Sequence, residues 1–537
     1  MDKHEVRSAR PSVIVATILL GTLSCATACA TPSIGSIIVD TSRDGFAEDH
    51  ACTLREAVEN AADHSRLHPD CASGGDDITD IRFGLDPGTH QVVDEINLEP
   101  YRSAMIVKDG VVRIHGPVTA HLPPSVPNVG QFVVKPDALL VLNDVTLEYG
   151  DASEGGLIYD EGALEMHGGA ARFGSAGSGG AIAVRGIAWL DGVELSANTA
   201  DDGGALYVHS NANVFIENAR FFANAARGEG GALAADDVAG NLTIHRSSFI
   251  ANRADGDFIG GGGAIYALGT VRIEDSVIAE NVANGLTGGG GADFAFGANV
   301  AIVNVEFRDN RVGPHPTASG GGVLHRGMGH ITISRSNFDG NIAWVGAGAF
   351  VGANSTLELD NSTLTRNFAD STAMTARPDA GRGAAIYADS STLVLRNATI
   401  KDNEGLSQLG AAGGAEMRFA NTVVWAPQGV ANCGGQATYV NLGSSMQNPD
   451  ASGASCALTL LGTPESSVFA MAMSIFDSPS GPPASPVMHS LWLPRAGGPL
   501  SKAGAAATCL DAASVDGIDE RLRPRPAACD VGAAQGL

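Results

Sequence analysis

Positive charge is scarce in this chain: 33 lysines and arginines stand against 59 aspartates and glutamates, for a net charge of −26. No basic patch gathers the few cations, which excludes a grip on nucleic-acid phosphates. Aromatic residues make up only 5% and charged residues 17%, so neither a charge-rich disordered tail nor a coiled coil fits. Helical periodicity of useful length is missing through the middle of the chain. So are a phosphate loop and a nucleophile elbow, since no Gly-Lys-Ser/Thr or Gly-x-Ser-x-Gly sits in a strand-to-helix setting. What is plentiful is glycine, with 69 residues in a length of 537. That length allows several domains or one elongated repeat array, and the small-residue composition favours the array.

The one long apolar run lies at the start. Lys3, Arg7 and Arg10 precede Val13 to Leu23, and small residues follow. Residues 1–30 therefore read as an export signal, too short in its apolar part to span a bilayer. Ala26-Thr27-Ala28 and Ala28-Cys29-Ala30 suit ordinary signal peptidase. Cys29 and Cys25 are candidates for lipidation, although neither has the usual leucine three residues before it. Both routes lead out of the cytoplasm, to the cell envelope or beyond. Beyond the signal stand Cys52, Cys71, Cys433, Cys456, Cys509 and Cys529, in three sequence-local pairs. Their spacing is wrong for a zinc site. In an oxidising compartment the simplest connectivity joins neighbours, each closing a loop that the chain-entropy model values at about 3 kcal/mol.

Two motifs recur between those cysteines. The first is Gly-Gly-Ala plus an aliphatic residue, at Gly179-Gly180-Ala181-Ile182, Gly203-Gly204-Ala205-Leu206, Gly230-Gly231-Ala232-Leu233 and Gly262-Gly263-Ala264-Ile265. Looser copies follow at Gly290-Gly291-Ala292-Asp293, Gly321-Gly322-Val323-Leu324, Gly383-Ala384-Ala385-Ile386 and Gly413-Gly414-Ala415-Glu416. The second is a large apolar residue three positions before an asparagine, giving Asn198, Asn224, Asn252, Asn281, Asn310, Asn341, Asn367 and Asn403. From Asn198 to Asn403 is 205 residues in seven steps, about 29 per repeat, a solenoid period. Short alternating runs such as Val214-Phe215-Ile216 and Val271-Arg272-Ile273 supply strands. Stacked coils would align the apolar residues into a core, the asparagines into a side-chain amide ladder, and the glycines at sharp corners. About a dozen such coils would make a rod on the order of 60 Å long.

The paired motifs resemble the repeats of polymorphic outer-membrane proteins and related bacterial β-helix adhesins over about residues 175 to 415. The resemblance implies an all-β, right-handed parallel β-helix with a role in adhesion. Cys52-Thr53-Leu54-Arg55-Glu56-Ala57 resembles the signature of CSLREA-domain proteins, with Thr53 in the serine position. Read physically, Thr53 and Glu56 form a capping box. Leu54, Ala57, Val58 and Ala61 share one face of the helix that follows, and Arg55 and Glu59 can pair on the other. Such a helix would cover the open first coil. His489-Ser490-Leu491, Leu493-Pro494, Asp519-Glu520-Arg521, Arg523-Pro524 and Cys529-Asp530-Val531-Gly532-Ala533 resemble the closing motif of choice-of-anchor Q proteins. The chain departs from that motif by ending in Ala534-Gln535-Gly536-Leu537, which leaves no room for a transmembrane barrel after Cys529. The expected division is a signal at 1–30, a CSLREA-like cap at 38–75, repeats at 76–430 and terminal coils at 431–537.

The chemistry is sparse. Glycosidase work needs two carboxylates a set distance apart, and the candidates are Asp201 with Asp202 and Asp236 with Asp237. No supporting set of His, Arg and Lys motifs accompanies them, and His330 stands alone. Acidic doublets beside glycine turns read as solvated corners. Gly288 to Asp293 fits the start of a calcium-binding nonapeptide, but it occurs once where such repeats work in tandem. The expectation is therefore a monomeric, exported, non-catalytic scaffold that binds a glycan or another cell-surface component. It needs no cofactor, and calcium is the one candidate. The alternative is a polysaccharide lyase or glycoside hydrolase. The inserts Asp255 to Gly260, Gly313 to Ser319 and Ala369 to Gly381 are the expected contact loops.

Overall fold

The computed structural model describes residues 34–532 apart from 87–90, 100–102, 125–126, 237–239, 257–260, 287, 316, 373, 451–454, 463, 477–486, 496–497 and 510–528. The signal segment with Cys25 and Cys29, Asp237, most of the 255–260 insert and the Asp519 to Pro524 part of the closing motif lie outside the described residues. The chain winds as a parallel β-helix of about 13 turns.

One coil shows the plan. Ile182–Val184, Ile187–Asp191 and Glu194–Ser196 are its three strands, and the short strand Thr199–Asp202 fills the corner before the next coil. Each pairs in parallel with its equivalent one coil on: Ile182 with Leu206, Leu190 with Ile216, Leu195 with Phe221, Ala200 with Ala226. These pairings define a first, second, third and corner ladder along the rod. In the second ladder alternate residues face inward, so that Val214, Ile216, Leu242, Ile244, Val271 and Ile273 are all buried. In the third ladder Phe221 stacks on Phe249 at 4.4 Å and Phe307 on Phe338 at 4.7 Å. Burying each such side chain stabilises by about 1.5–3 kcal/mol relative to exposing it.

The asparagine row closes the turn after the third ladder. From Asn198 to Asn403 each Nδ2 donates to Oδ1 of the next asparagine at 2.8–3.0 Å. The same Oδ1 accepts the backbone N–H of the asparagine before it. Gln408 and Asn432 continue the row beyond the repeats, at 2.9 and 3.4 Å. At the opposite corner, Gly203 takes a left-handed φ of 61°, and a Cβ on Gly204 would lie 2.1 Å from the carbonyl oxygen of Gly231 in the next coil.

Three glycine copies are placed differently from the sequence spacing. Ala292 pairs with Ile265 and Val323 with Ala292, so these corners are Gly289-Gly290-Gly291-Ala292 and Gly320-Gly321-Gly322-Val323. The extra glycines allow two frames, and the frame that sends an apolar residue inward wins over one that would send in Asp293. Gly413-Gly414-Ala415-Glu416 is not a corner. Glu416 pairs with Thr392 in the second ladder, and Leu409 takes the place beside Ile386.

Helix α1 (Leu54–Ala62) carries the capping box: Thr53 accepts from the Glu56 N–H, and Glu56 accepts from the Thr53 N–H. Arg55 does not pair with Glu59. It is 3% exposed and grips Asp44 at 2.8 and 2.9 Å, while Glu59 bonds His68 at 2.8 Å. The helix is inserted into the first coil, since Ile34–Val39 already pairs with Ile78–Phe83. Its outer face is therefore covered rather than free. Disulfides join Cys52 to Cys71, Cys433 to Cys456 and Cys509 to Cys529. At the far end Phe469–Phe476 and Val487–Pro494 form an antiparallel hairpin. Trp425, Phe469, Leu500 and Val531 cluster beside it. Lys401, fully buried, is paired with Asp402 and with Glu465 at 2.7 Å. Three disulfides fit an oxidising, extracellular environment, and no helix among the described residues is long and apolar enough to cross a membrane.

Candidate functional site: a tyrosine- and carboxylate-lined strip

Because residues in register stack along the axis, a side chain that faces outward in one coil belongs to a row. The middle residues of the first-ladder strands form such a row: Tyr159, Ala183, Tyr207, Ala234, Tyr266 and Asp293 are partners in succession. Tyrosine thus recurs on every second coil, about 9.6 Å apart at the strand spacing, with alanine between. A second row on one side holds Glu154, Asp202 and Glu229, each directly before its glycine corner. A third row on the other side holds Arg185, His209 and Asp236, each directly after its first-ladder strand. The strip opens at its N-terminal end into a hollow of about 330 Å³ lined by Val133, Glu154, Gly155 and Tyr159 among others.

The rows are cross-linked. Glu154 takes Arg185 and His209, both at 3.1 Å, and the Arg185 guanidinium lies 5.8 Å from the Tyr159 ring centre. Tyr207 packs edge-on against His209 at 4.7 Å and donates its hydroxyl to Asp236. Asp202 accepts the Glu229 N–H at 2.8 Å. Arg326 holds Asp293 through both oxygens at 2.9 and 2.7 Å and lies 5.6 Å from the Tyr266 ring centre. Gly261 leaves room for these groups: a Cβ would come within 2.6 Å of Asp293 Oδ2 and 2.8 Å of Tyr266 Cδ2, so a larger residue would have to displace their side chains.

Burial pushes the Glu229 carboxyl up to about 7, with Asp202 and Asp293 adding to the rise and Arg326 opposing it. The Asp202 carboxyl is raised chiefly by burial and further by Asp236 and Asp201. Burial also raises the Tyr207 hydroxyl, aided by Asp236. The His209 imidazole is lowered by burial and by Arg185, against the pull of Glu154. A half-buried face with surplus acid, neutral imidazole and aromatic rings can bind polar, hydroxyl-rich or cationic groups.

Of the acidic doublets, the strip brings together Asp202 and Asp236. Asp201 points the other way, 59% exposed, and meets Arg227 at 3.1 Å. Among the described members of the doublets, Asp201 fits the reading of a solvated corner, whereas Asp202 and Asp236 are half-buried. His330 reaches no closer than 3.9 Å to Glu358, away from the strip. Asp293, at the end of the Gly288 to Asp293 stretch, is fully buried and engaged by Arg326. Among the described residues no group of three or more His, Cys, Asp and Glu is arranged to hold a metal ion. Sequence spacing alone missed Glu154, Glu229, Tyr207, Tyr266, His209 and Arg326. A signal was present: Tyr159, Tyr207, Tyr266 and Tyr387 each stand four residues after a left-handed corner glycine, and Glu154, Asp202 and Glu229 directly before one.

Fold and strip together define a parallel β-helix with one polar, aromatic-lined face running along its axis. No family model, curated protein or solved structure matches the chain.

Proposed function

We propose that the chain is an exported surface scaffold that holds an extended glycan along this strip without cleaving it, a reading supported by the resemblance of its repeats to those of β-helix adhesins. The observation that carries the reading is the tyrosine row on alternate coils, Tyr159, Tyr207 and Tyr266, in register along the axis. A polymer of sugar rings has its own axial repeat, and the half-buried rings of Tyr159 and Tyr207 offer it spaced apolar platforms flanked by hydrogen-bonding groups, while Tyr266 continues the row as a buried ring with Arg326 over it. The disulfides and the leader-like start of the sequence support placement outside the cytoplasm.

The test is calorimetric titration of the full chain with a panel of neutral, acidic and amine-bearing polysaccharides, with product release scored in parallel. Tyr207→Ala is expected to weaken binding about tenfold, in keeping with the loss of one aromatic contact at a recognition surface. An unchanged affinity in that variant, or no binding by any glycan, would sink the reading.

One observation favours hydrolysis as a second reading. Glu229, with its carboxyl held up near 7, shares the strip with Asp202 and Asp236, and a proton-bearing acid beside other carboxylates is the equipment of glycosidases. Product release that Glu229→Gln abolishes would decide for it.

A further inference from the structure

We infer that the glycan held on the strip carries free amino groups, a statement that rests on the glycan-binding reading and narrows it. The argument is one of unmatched charge. Glu154 is matched by Arg185, and Asp293 by Arg326. Asp202, Asp236 and Glu229 are left over: Asp202 accepts a backbone N–H and Asp236 a tyrosine hydroxyl. Glu229 meets the Tyr266 hydroxyl. Among the described residues none of the three has a lysine or arginine in ion-pair contact, and Arg326 acts on Glu229 only with its guanidinium already engaged by Asp293.

On this half-buried face Asp202 and Asp236 have no lysine or arginine in ion-pair contact and Glu229 only a share of Arg326, so the three carboxylates repel one another, and the rise of the Glu229 and Asp202 carboxyls reflects that crowding as well as burial. A ligand ammonium would relieve it, making charge-assisted hydrogen bonds to the carboxylates while the half-exposed ring of Tyr207 favours a cation. A uronic acid polymer would bring more negative charge to the same place. A neutral polymer would leave the surplus unmatched. The axial rows fit a chain that repeats its amino group rather than a single small amine.

The experiment titrates the full chain near neutral pH with β-1,4-linked glucosamine oligomers, the same oligomers fully N-acetylated, and oligogalacturonate. The amine-bearing oligomer is expected to bind about tenfold tighter than its acetylated counterpart, the worth of one charged hydrogen bond. Glu229→Gln and Asp236→Asn should each reduce that preference severalfold, read as the ratio of the two oligomers' affinities for the same variant. Added salt should erode the preference as well. Two variants are used so that misfolding of one leaves the other as the test. Equal or tighter binding of the acetylated oligomer or of oligogalacturonate overturns the amine assignment while leaving glycan binding in place. So does a preference that survives both substitutions. Binding of none of the three overturns the assignment together with the reading it rests on.

Discussion

Among the described residues, two acidic side chains have carboxylate oxygens buried without a hydrogen-bond partner. Glu306 is fully buried, neither of its carboxylate oxygens has a hydrogen-bond partner, the Arg308 guanidinium stays 3.7 Å away, and burial, against the pull of Arg308, pushes its carboxyl up to about 7. Asp160 faces the core with one oxygen satisfied by the Gly162 N–H at 3.0 Å and the other unpartnered, and it too is pushed by burial to about 7. The fold holds the proton more tightly than the unfolded chain does. Between the ordinary carboxylate range and about 7 the native state therefore binds more protons, and stability falls as pH rises through that window. It is full below the window and flat above it. Replacing Glu306 by glutamine keeps the shape and removes the charge. Glu306→Gln should raise the melting temperature at pH 8, by an amount reflecting on the order of 3 kcal/mol, and should change it little at pH 4.5. A pH-independent effect in thermal melts would show that Glu306 is charged and matched in the native protein. Neither residue could be singled out from the sequence. Glu306 stands at an outward strand position that in other coils holds Arg220 or Ser248, and only packing over that face makes its burial costly.

At the scale of the element, the asparagine row binds one coil to the next. Asn281 donates to Phe249 O and Asn310 Oδ1, both at 2.9 Å, and its own oxygen accepts the Asn252 N–H at 2.9 Å and the Asn252 amide at 3.0 Å. Asn281→Ala strands buried donors and acceptors on both neighbouring coils, and each group left unsatisfied costs about 1–3 kcal/mol. The expected result is a loss of several kcal/mol in urea unfolding, with amide protection lost first in the coils on either side. A loss below about 0.5 kcal/mol, the usual size for a surface substitution, would mean the row contributes nothing of its own. This row was legible because one residue type at one offset, repeated at a near-constant period, has one geometric meaning in a stack. The glycine corners were legible only where the frame was unique. Gly203-Gly204 reads one way, but Gly288 to Gly291 can be read in two, and the inward demand at Ala292 decides. The strip was harder still. Its rows alternate or mix residue types, tyrosine with alanine in one and Arg185, His209 and Asp236 in another, so they become a set only once register puts Tyr207 beside Asp236 and Asp202 beside Glu229. Arg55 misled for a related reason: a helix drawn alone has a solvent face, whereas this one is inserted into a coil.

At the scale of the whole molecule, the backbone ladders join each coil only to its neighbours, with a few side chains such as His209 on Glu154 reaching one coil further, so the rod's stability is close to a sum of coil and interface contributions and no coil in the middle is indispensable. That can be tested by removing one whole coil. Arg253 pairs with Val282 and Asn252 stacks on Asn281, one period of 29 residues apart. Deleting residues 253–281 joins Asn252 directly to Val282, the register equivalent of Arg253, and Asn252 then stacks on Asn310 as Asn281 did. The first ladder joins Leu233 to Ala292 and the third joins Phe249 to Phe307, apolar on apolar throughout. The shortened chain is expected to fold, with circular dichroism of β form and a melting temperature within a few degrees of the parent. Deleting about half that length from the same point should give aggregate, because every inward residue beyond the cut would lose its row. The whole-coil deletion also removes Tyr266 and sets Tyr207 two coils from Asp293 instead of from another tyrosine. A folded deletant that has lost glycan affinity would therefore separate the two roles of the rod: a frame tolerant of its own length, and a strip whose alternate-coil spacing is what the ligand reads. A deletant that aggregates would instead show that coupling along the axis reaches beyond neighbouring coils.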